Sequence, residues 1–375
     1  MAELSQRAVA SGPSIPSSMA AVVLTGHGGF DKLEYREDVP VPTIEPGEVL
    51  IKVSAAGINN TDINTRIGWY SKAIRAATSE GAAQGFGSIP DCDASWSGVP
   101  LAFPRIQGAD CCGQIVAVGD GVDPHRVGER VIIRNLIRTY VGRRPFESWT
   151  FGSECDGAFA QYTKAPAAEV HHVHCDWSDA ELASVPCGYS TAEGMLHRAN
   201  VGIGEHVVVT GASGNVGAAA IQLARRRGAS VTAVVAPEKA DDFRRLGADR
   251  IVPRDVSLVA ALGVKTVDVV IDVVAGPRWG ELLDILKVGG RYAVAGAIAG
   301  PIVELDVRTV YLKDLSFFGC TFWDDSVFEN LVSYVEQGEI RPLVAKTYAL
   351  ADIVSAQKDF LSKKYIGKLV LVPPI

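Results

Sequence analysis

The stretch His206-Val207-Val208-Val209-Thr210-Gly211-Ala212-Ser213-Gly214-Asn215-Val216-Gly217 decides how this chain of 375 residues folds. The run from His206 to Thr210 is nearly all β-branched, which suits a strand buried on both faces. A glycine-rich turn follows at once. Val216, Ala220 and Leu223 then recur at the spacing of one helical face. The basic run Arg225-Arg226-Arg227 falls where that helix should end, complementing its dipole. A second strand is expected from Ser230 to Val235. Strand, glycine turn, helix and strand together form a βαβ unit of the dinucleotide-binding type. Gly214 lets the backbone approach a pyrophosphate, and Gly217 lets the helix lie close on the strand. The N–H groups that open the helix then face the phosphates. Ala212 takes the first position of the usual G-x-G-x-x-G, with Gly211 displaced beside it. The alternative is a tight strand–helix turn that holds no ligand.

The end of the second strand bears on which nicotinamide cofactor fits. An acid there would accept hydrogen bonds from the ribose hydroxyls of NAD. This chain reads Val235-Ala236-Pro237-Glu238-Lys239. No acid stands at Ala236, and Lys239 is placed to pair with a 2′-phosphate. NADPH is therefore the expected cofactor, with Glu238 pulling the other way and NADH left open.

Away from this unit the texture changes. From about Ala20 to Pro166 short apolar strands such as Val49–Val53, Gln114–Val118 and Arg130–Ile133 alternate with Gly and Pro turns, a β-rich pattern. From Asp179 to Ala297 strands alternate with helices, which implies a parallel sheet. The fold class is α/β: a β-rich domain beside a doubly wound parallel-sheet domain. The expected division is a flexible tail over 1–18, a β-rich domain over 19–178, a dinucleotide domain over 179–315 and a returning segment over 316–375. Ser71 to Pro100 interrupts the β-rich part without a clear period. It reads equally as a lid over the site or as a surface insertion.

Bulk properties exclude several classes. The balance of 36 basic against 43 acidic residues, net −7, gives no electrostatic case for nucleic acid or anionic membranes. No stretch is long and apolar enough to span a bilayer, and the first eighteen residues lack the apolar core of a signal peptide. The seven cysteines are scattered without C-x-x-C spacing. A disulfide framework or closed zinc site is thus not expected, and the cytoplasm is the default compartment.

Many ordered motifs of this chain resemble the medium-chain dehydrogenase/reductase superfamily. They include Gly57–Asp62, Gly108-Ala109-Asp110, Gly113–Val118, Asp156–Tyr162, the Gly211 turn, Val267–Asp272, Gly289-Gly290-Arg291 and Gly367–Leu371. The resemblance implies a GroES-like catalytic domain, a Rossmann domain and an active site in the cleft between them. Where the zinc alcohol dehydrogenases of that superfamily carry Cys-His-x-Asp, this chain has Asn59-Asn60-Thr61-Asp62. Where they carry Gly-His-Glu, it has Gly108-Ala109-Asp110. Only Cys187 keeps a ligand-like position, and one thiolate cannot make the three-ligand site of catalytic zinc. His171, His172 and His174 lead away from the cleft and read as exposed or packing residues. No zinc is expected, and the resemblance shifts to the zinc-independent quinone-oxidoreductase and enoyl-reductase-like branch.

In that branch hydride passes from NADPH to an activated alkene or a quinone, and the protein supplies hydrogen-bond donors at the substrate oxygen. The resemblance names Asn59 (or Asn60), Thr61 and Tyr70 as candidate catalytic groups, with Asp62 holding the Asn59 loop. For Tyr70 a packing role at the loop base is the alternative. The cofactor contacts it implies are Thr191, Ser213, Gly214, Asn215, Val216, Lys239, Val274, Gly296 and Ala297. The strand Leu315–Thr321 would present an exposed edge, for which a homodimer is the natural cover. Two rival functions stay open: an alcohol dehydrogenase with a degenerate zinc site, and a dinucleotide-binding protein without turnover. A small-molecule carbonyl or quinone is the expected substrate partner.

Overall fold

A computed structural model describes residues 15–87 and 93–375. Of the expected tail over 1–18, residues 1–14 lie outside the described residues, as does the stretch 88–92 of the insertion, while Ser18 already opens the first strand.

In chain order the elements that place the site begin with strand β1 (Ser18–Leu24) and strand β2 (Glu48–Gly57). Helices α1 (Asn60–Arg66) and α2 (Thr78–Gly81) follow, then strands β3 (Cys112–Val118), β4 (Arg130–Ile133), β5 (Tyr162–Pro166) and β6 (Val170–His172). Helix α3 (Pro186–Arg198) leads into the βαβ unit: β7 (His206–Val209), α4 (Asn215–Arg226) and β8 (Ser230–Val235). Strands β9 (Arg250–Pro253), β10 (Val267–Asp272), β11 (Leu286–Val294) and β12 (Ser316–Gly319) come next. Helix α5 (Asp325–Glu336), strand β13 (Val344–Ala349), helix α6 (Ile353–Leu361) and strand β14 (Lys368–Val372) close the chain.

The six strands β9-β8-β7-β10-β11-β12 lie in that order in one sheet, and every pair in it is parallel. Numbered by their own sequence, this is the order 3-2-1-4-5-6 of a Rossmann sheet. Val207, Val208 and Val209 are fully buried, as a strand covered by helices on both faces requires. Each such burial stabilises the fold by about 1.5–3 kcal/mol. Helix α4 turns Ala219, Ala220 and Leu223 inward and ends at its arginines, as its periodicity predicts.

The β-rich part forms a second, mixed sheet in the order β6-β4-β3-β2-β14-β13, with β5 also on β2. Its core gathers Val49, Ile51, Ile115, Val131, Phe159 and Leu371. The last strand, β14, therefore returns to the first domain, antiparallel to β2.

One boundary differs from the expectation. Ser316–Gly319 does not begin the returning segment: it pairs parallel to β11 as the sixth strand of the Rossmann sheet. Phe328, Leu331 and Val335 of α5 are buried in the same core as α3 and α4. The chain crosses back only near Val344. The apolar face of α5 accounts for this, because burying it against α3 holds residues 316–336 with the cofactor domain. Among the described residues no helix is long and apolar enough to cross a membrane.

Candidate active site

The sheet order reverses between β7 and β10, the place where open parallel sheets leave a crevice at their carboxyl ends. Four strand ends supply that crevice. After β7 comes the turn Gly211–Gly214, where Gly214 caps α4 with no side chain of its own bonded to the helix amides. A Cβ at Gly214 would meet only the Gly211 carbonyl, at 3.5 Å, so the approach to the helix start is open. A Cβ at Gly217 would stand 2.4 Å from Ala212 Cα, so α4 lies as close on the turn as the sequence requires.

After β10, buried Asp272 organises the next turn. Its carboxylate accepts from the hydroxyls of Thr210 and Tyr292 and from the amides of Val274 (2.9 Å) and Ala275 (3.2 Å). Val274 in turn accepts from Ala299, and Gly296 lies against Val273. The structure thus brings Gly211, Val274, Gly296 and Ala297 to one place. Ser213 and Val216 are half-buried on the turn.

Three other expected cofactor residues are engaged with the protein itself. Asn215 donates through Nδ2 to the Ser184 carbonyl at 2.9 Å, pinning the start of α4 to the segment before α3. Thr191 bonds back to the Cys187 carbonyl within α3, at 2.7 Å. Lys239 is buried, and its ammonium donates to the carbonyls of Lys363 (2.8 Å) and Tyr365 (3.4 Å). Burial lowers its pKa from the usual lysine range, with Arg254 adding to the effect and Glu238 opposing it. No acid stands at the end of β8, where Ala236 is buried and Glu238 is exposed.

Across the cleft, Asn59 caps α1 and its backbone N–H donates to Asp62 Oδ2 at 2.7 Å. That is the holding role expected of Asp62. Burial raises the Asp62 pKa to about 7, against the Asn59 amide and Lys368, which pull it down. Asn59 also joins a buried polar cluster. Its Nδ2 donates to Asp110 Oδ2 at 2.8 Å, and its Oδ1 accepts from Lys368 Nζ at 2.5 Å. Lys368 Nζ lies 2.5 Å from Asp110 Oδ2, and Asp110 Oδ1 accepts from the Cys187 amide at 2.6 Å. Lys368, Asp110 and Asn59 are at most 7% exposed. The Asp110–Lys368 pair is not legible as a unit in the sequence, because 257 residues of chain lie between the partners.

Thr61 and Tyr70 meet here as well. The Tyr70 hydroxyl donates to Thr61 Oγ1 at 3.0 Å. Burial keeps the Tyr70 phenol protonated well above its ordinary range. Its ring meets Trp69 and Trp96 edge-on, with centroids 5.8 and 5.2 Å away. His171, His172 and His174 take no part: His171 packs on Phe328, while the His172 and His174 rings lie in tilted contact with each other.

This arrangement has relatives along nearly its whole length. Residues 45–175 match the alcohol dehydrogenase GroES-like domain, and residues 215–337 match the zinc-binding dehydrogenase family. A solved Sinorhizobium meliloti 1021 structure, assigned provisionally as an alcohol dehydrogenase, is 45% identical with a TM-score of 0.85, covering 96% of this chain and 98% of that one. The chain belongs to the medium-chain dehydrogenase/reductase superfamily. It falls on the quinone-oxidoreductase-like branch and is an NAD(P)H-dependent oxidoreductase. The acryloyl-coenzyme A reductase of Metallosphaera sedula is 29% identical over 366 residues, covering 94% of this chain and 99% of the relative. The quinone oxidoreductase of Homo sapiens is 27% identical over 368 residues, with coverage of 94% and 98%.

Zinc, which one family description carries, does not fit the residues present. Asn59 is bonded through both ends of its amide, Ala109 offers no donor, and Asp110 is paired with Lys368. Burial raises the Cys187 thiol far above its ordinary range, and the charge of Asp110 raises it further. Among the described residues no group of three or more His, Cys, Asp or Glu is placed to hold a metal.

Proposed function

We propose that this protein is an NADPH-dependent, metal-independent reductase that passes hydride to an α,β-unsaturated carbonyl or a quinone. The observation that carries the reading is the buried Lys368–Asp110–Asn59 cluster, which commits the polar atoms beside Cys187 to one another. The names of the quinone oxidoreductase and acryloyl-coenzyme A reductase relatives support the acceptor class. The cofactor, when bound, supplies the hydride.

The chain's own residues then have to steady the charge that grows on the acceptor oxygen. Asn59 spends its N–H groups on Asp110 and the Gly57 carbonyl, so it shapes the site and leaves the donating to others. Thr61 accepts from Tyr70, which leaves its own O–H to point to an acceptor oxygen. Tyr70 behind it, donating to Thr61 Oγ1, orients that hydroxyl toward the acceptor. On the cofactor side, Gly214 and the start of α4 receive the phosphates. Lys239 and the nearby Lys363 supply positive charge for a 2′-phosphate, supported by the absence of an acid at Ala236.

The test is a comparison of NADPH and NADH with a panel of enones, quinones and alcohols. Faster turnover of NADPH with enones or quinones is expected. Alcohol oxidation alone would favour the degenerate alcohol dehydrogenase, and NADPH binding without any hydride transfer would favour a non-catalytic role.

We further propose a homodimer formed along β12, whose outer edge carries half-exposed Phe317 beside exposed Val307, Tyr311 and Leu312. Sedimentation should show a dimer that Leu312→Asp weakens, and a monomer at all concentrations would refute it.

A further inference from the structure

The insertion from Ser71 to Pro100 reads from sequence equally as lid or surface decoration, and its described residues favour a third role. Its base is fixed. Arg66, with no exposed surface, donates to the carbonyls of Ala82 (2.6 Å) and Gly28 (2.8 Å) and to Gln357 Oε1 on α6 (3.0 Å). Trp69 donates through its indole nitrogen to the Ala76 carbonyl at 2.9 Å. Held between these anchors, Thr78 is 4% exposed and touches both sides of the cleft. Its hydroxyl donates to Asn64 Oδ1 at 3.1 Å. Its amide donates to the Ile298 carbonyl at 3.2 Å. Ile298 follows Gly296 and Ala297 on the loop that closes the cofactor side.

We propose that Thr78 is a positioning residue for hydride transfer: it ties the acceptor side of the cleft to the loop beside the nicotinamide. This rests on the reductase reading above. Hydride transfer requires the reacting atoms within about 3–3.5 Å, and an error of ~1 Å can cost ~100-fold in rate. The two halves of this site belong to different domains, whose spacing is free to vary unless something spans them. The Thr78 amide is such a span.

The local geometry allows a clean test. Thr78 is the first residue of α2, and Ala77 before it has φ −66 and ψ 153. A proline is tolerated at such a position. Thr78→Pro removes the N–H without demanding a new backbone, and Thr78→Val removes the hydroxyl but keeps the N–H. With wild-type enzyme as reference, Thr78→Pro should lower kcat by about 10-fold or more. NADPH binding, followed by fluorescence titration, should change less than about 3-fold. A deuterium isotope effect with deuterated NADPH should rise as hydride transfer becomes limiting. Thr78→Val should keep kcat within about 3-fold. Equal kcat in the two variants would overturn the proposal. Hydrogen exchange on the wild-type protein decides the matter even if the proline variant fails to fold. The Thr78 amide should be protected, and more so with NADPH bound, whereas exchange at the rate of an open amide would overturn the span. If no acceptor is reduced by the wild-type enzyme, the reductase reading fails while the exchange result still stands on its own.

Discussion

Lys368 and Tyr70 carry the account at the scale of single residues. Lys368 neutralises Asp110 where neither is reached by water, and removing one partner of such a pair leaves a buried charge. Lys368→Met should therefore cost about 3–5 kcal/mol in urea unfolding. Adding Asp110→Asn should recover at least half of that loss, because the stranded charge goes with it. Tyr70 is bonded to Thr61 rather than merely packed. Tyr70→Phe should lower kcat with an enone by about 10-fold, because the Thr61 hydroxyl loses the bond that orients it. NADPH affinity should stay unchanged, and a kcat within 2-fold of wild type (about 0.4 kcal/mol) would return Tyr70 to a packing role.

At the scale of elements, the βαβ unit was legible because its signals are local: a β-branched run, a glycine turn and a helical period. The glycines of that turn have separable duties. Gly217→Ala puts a Cβ into the Ala212 backbone and should destabilise the fold by about 1–3 kcal/mol. Gly214→Ala meets no such obstacle, at φ −83 and ψ 170, and should melt like wild type while binding NADPH at least ~10-fold more weakly. Thermal melts beside cofactor titrations check both, and a matched loss of stability and affinity in both variants would contradict the assignment. What local pattern could not show was commitment to partners far along the chain. Asn215 and Lys239 read as cofactor contacts from position, and no local pattern foretells the bonds their side chains also make to Ser184 and to Lys363 and Tyr365. The boundary at Ser316 was missed for a related reason. A short strand says nothing of which sheet it will join until the helix after it has found a face to cover.

For the whole molecule the question is how two domains with separate cores hold one cleft. Besides Thr78, an ionic network joins them on another side: Arg134, Arg138 and Arg143 of the β-rich domain all reach Asp325 at the start of α5. Arg134 also pairs with fully buried Glu169. His171 sits against this network with its ring on Phe328 of α5. Burial holds its pKa down to about 4, with Arg134 and Arg126 adding to the effect and Glu169 and Asp325 opposing it. A folded pKa below the unfolded value means that the native state binds fewer protons, so this contribution is present above pH ~6.5 and is lost as the pH falls toward ~4. Unfolding measured across that window should show stability falling with acid by about 1–3 kcal/mol more in wild type than in His171→Gln. An identical slope in both would contradict the sign argued here.

On the function proposed above, hydride transfer in this cleft needs NADPH and the chain's own hydroxyls but no metal. The most direct measurement is NADPH oxidation by an enone or quinone with chelator-treated, dialysed protein whose metal content is determined on the same sample. The account predicts turnover undiminished by chelation, with far less than one metal ion per chain. Equimolar zinc whose removal abolishes turnover, and whose return restores it, would contradict the account.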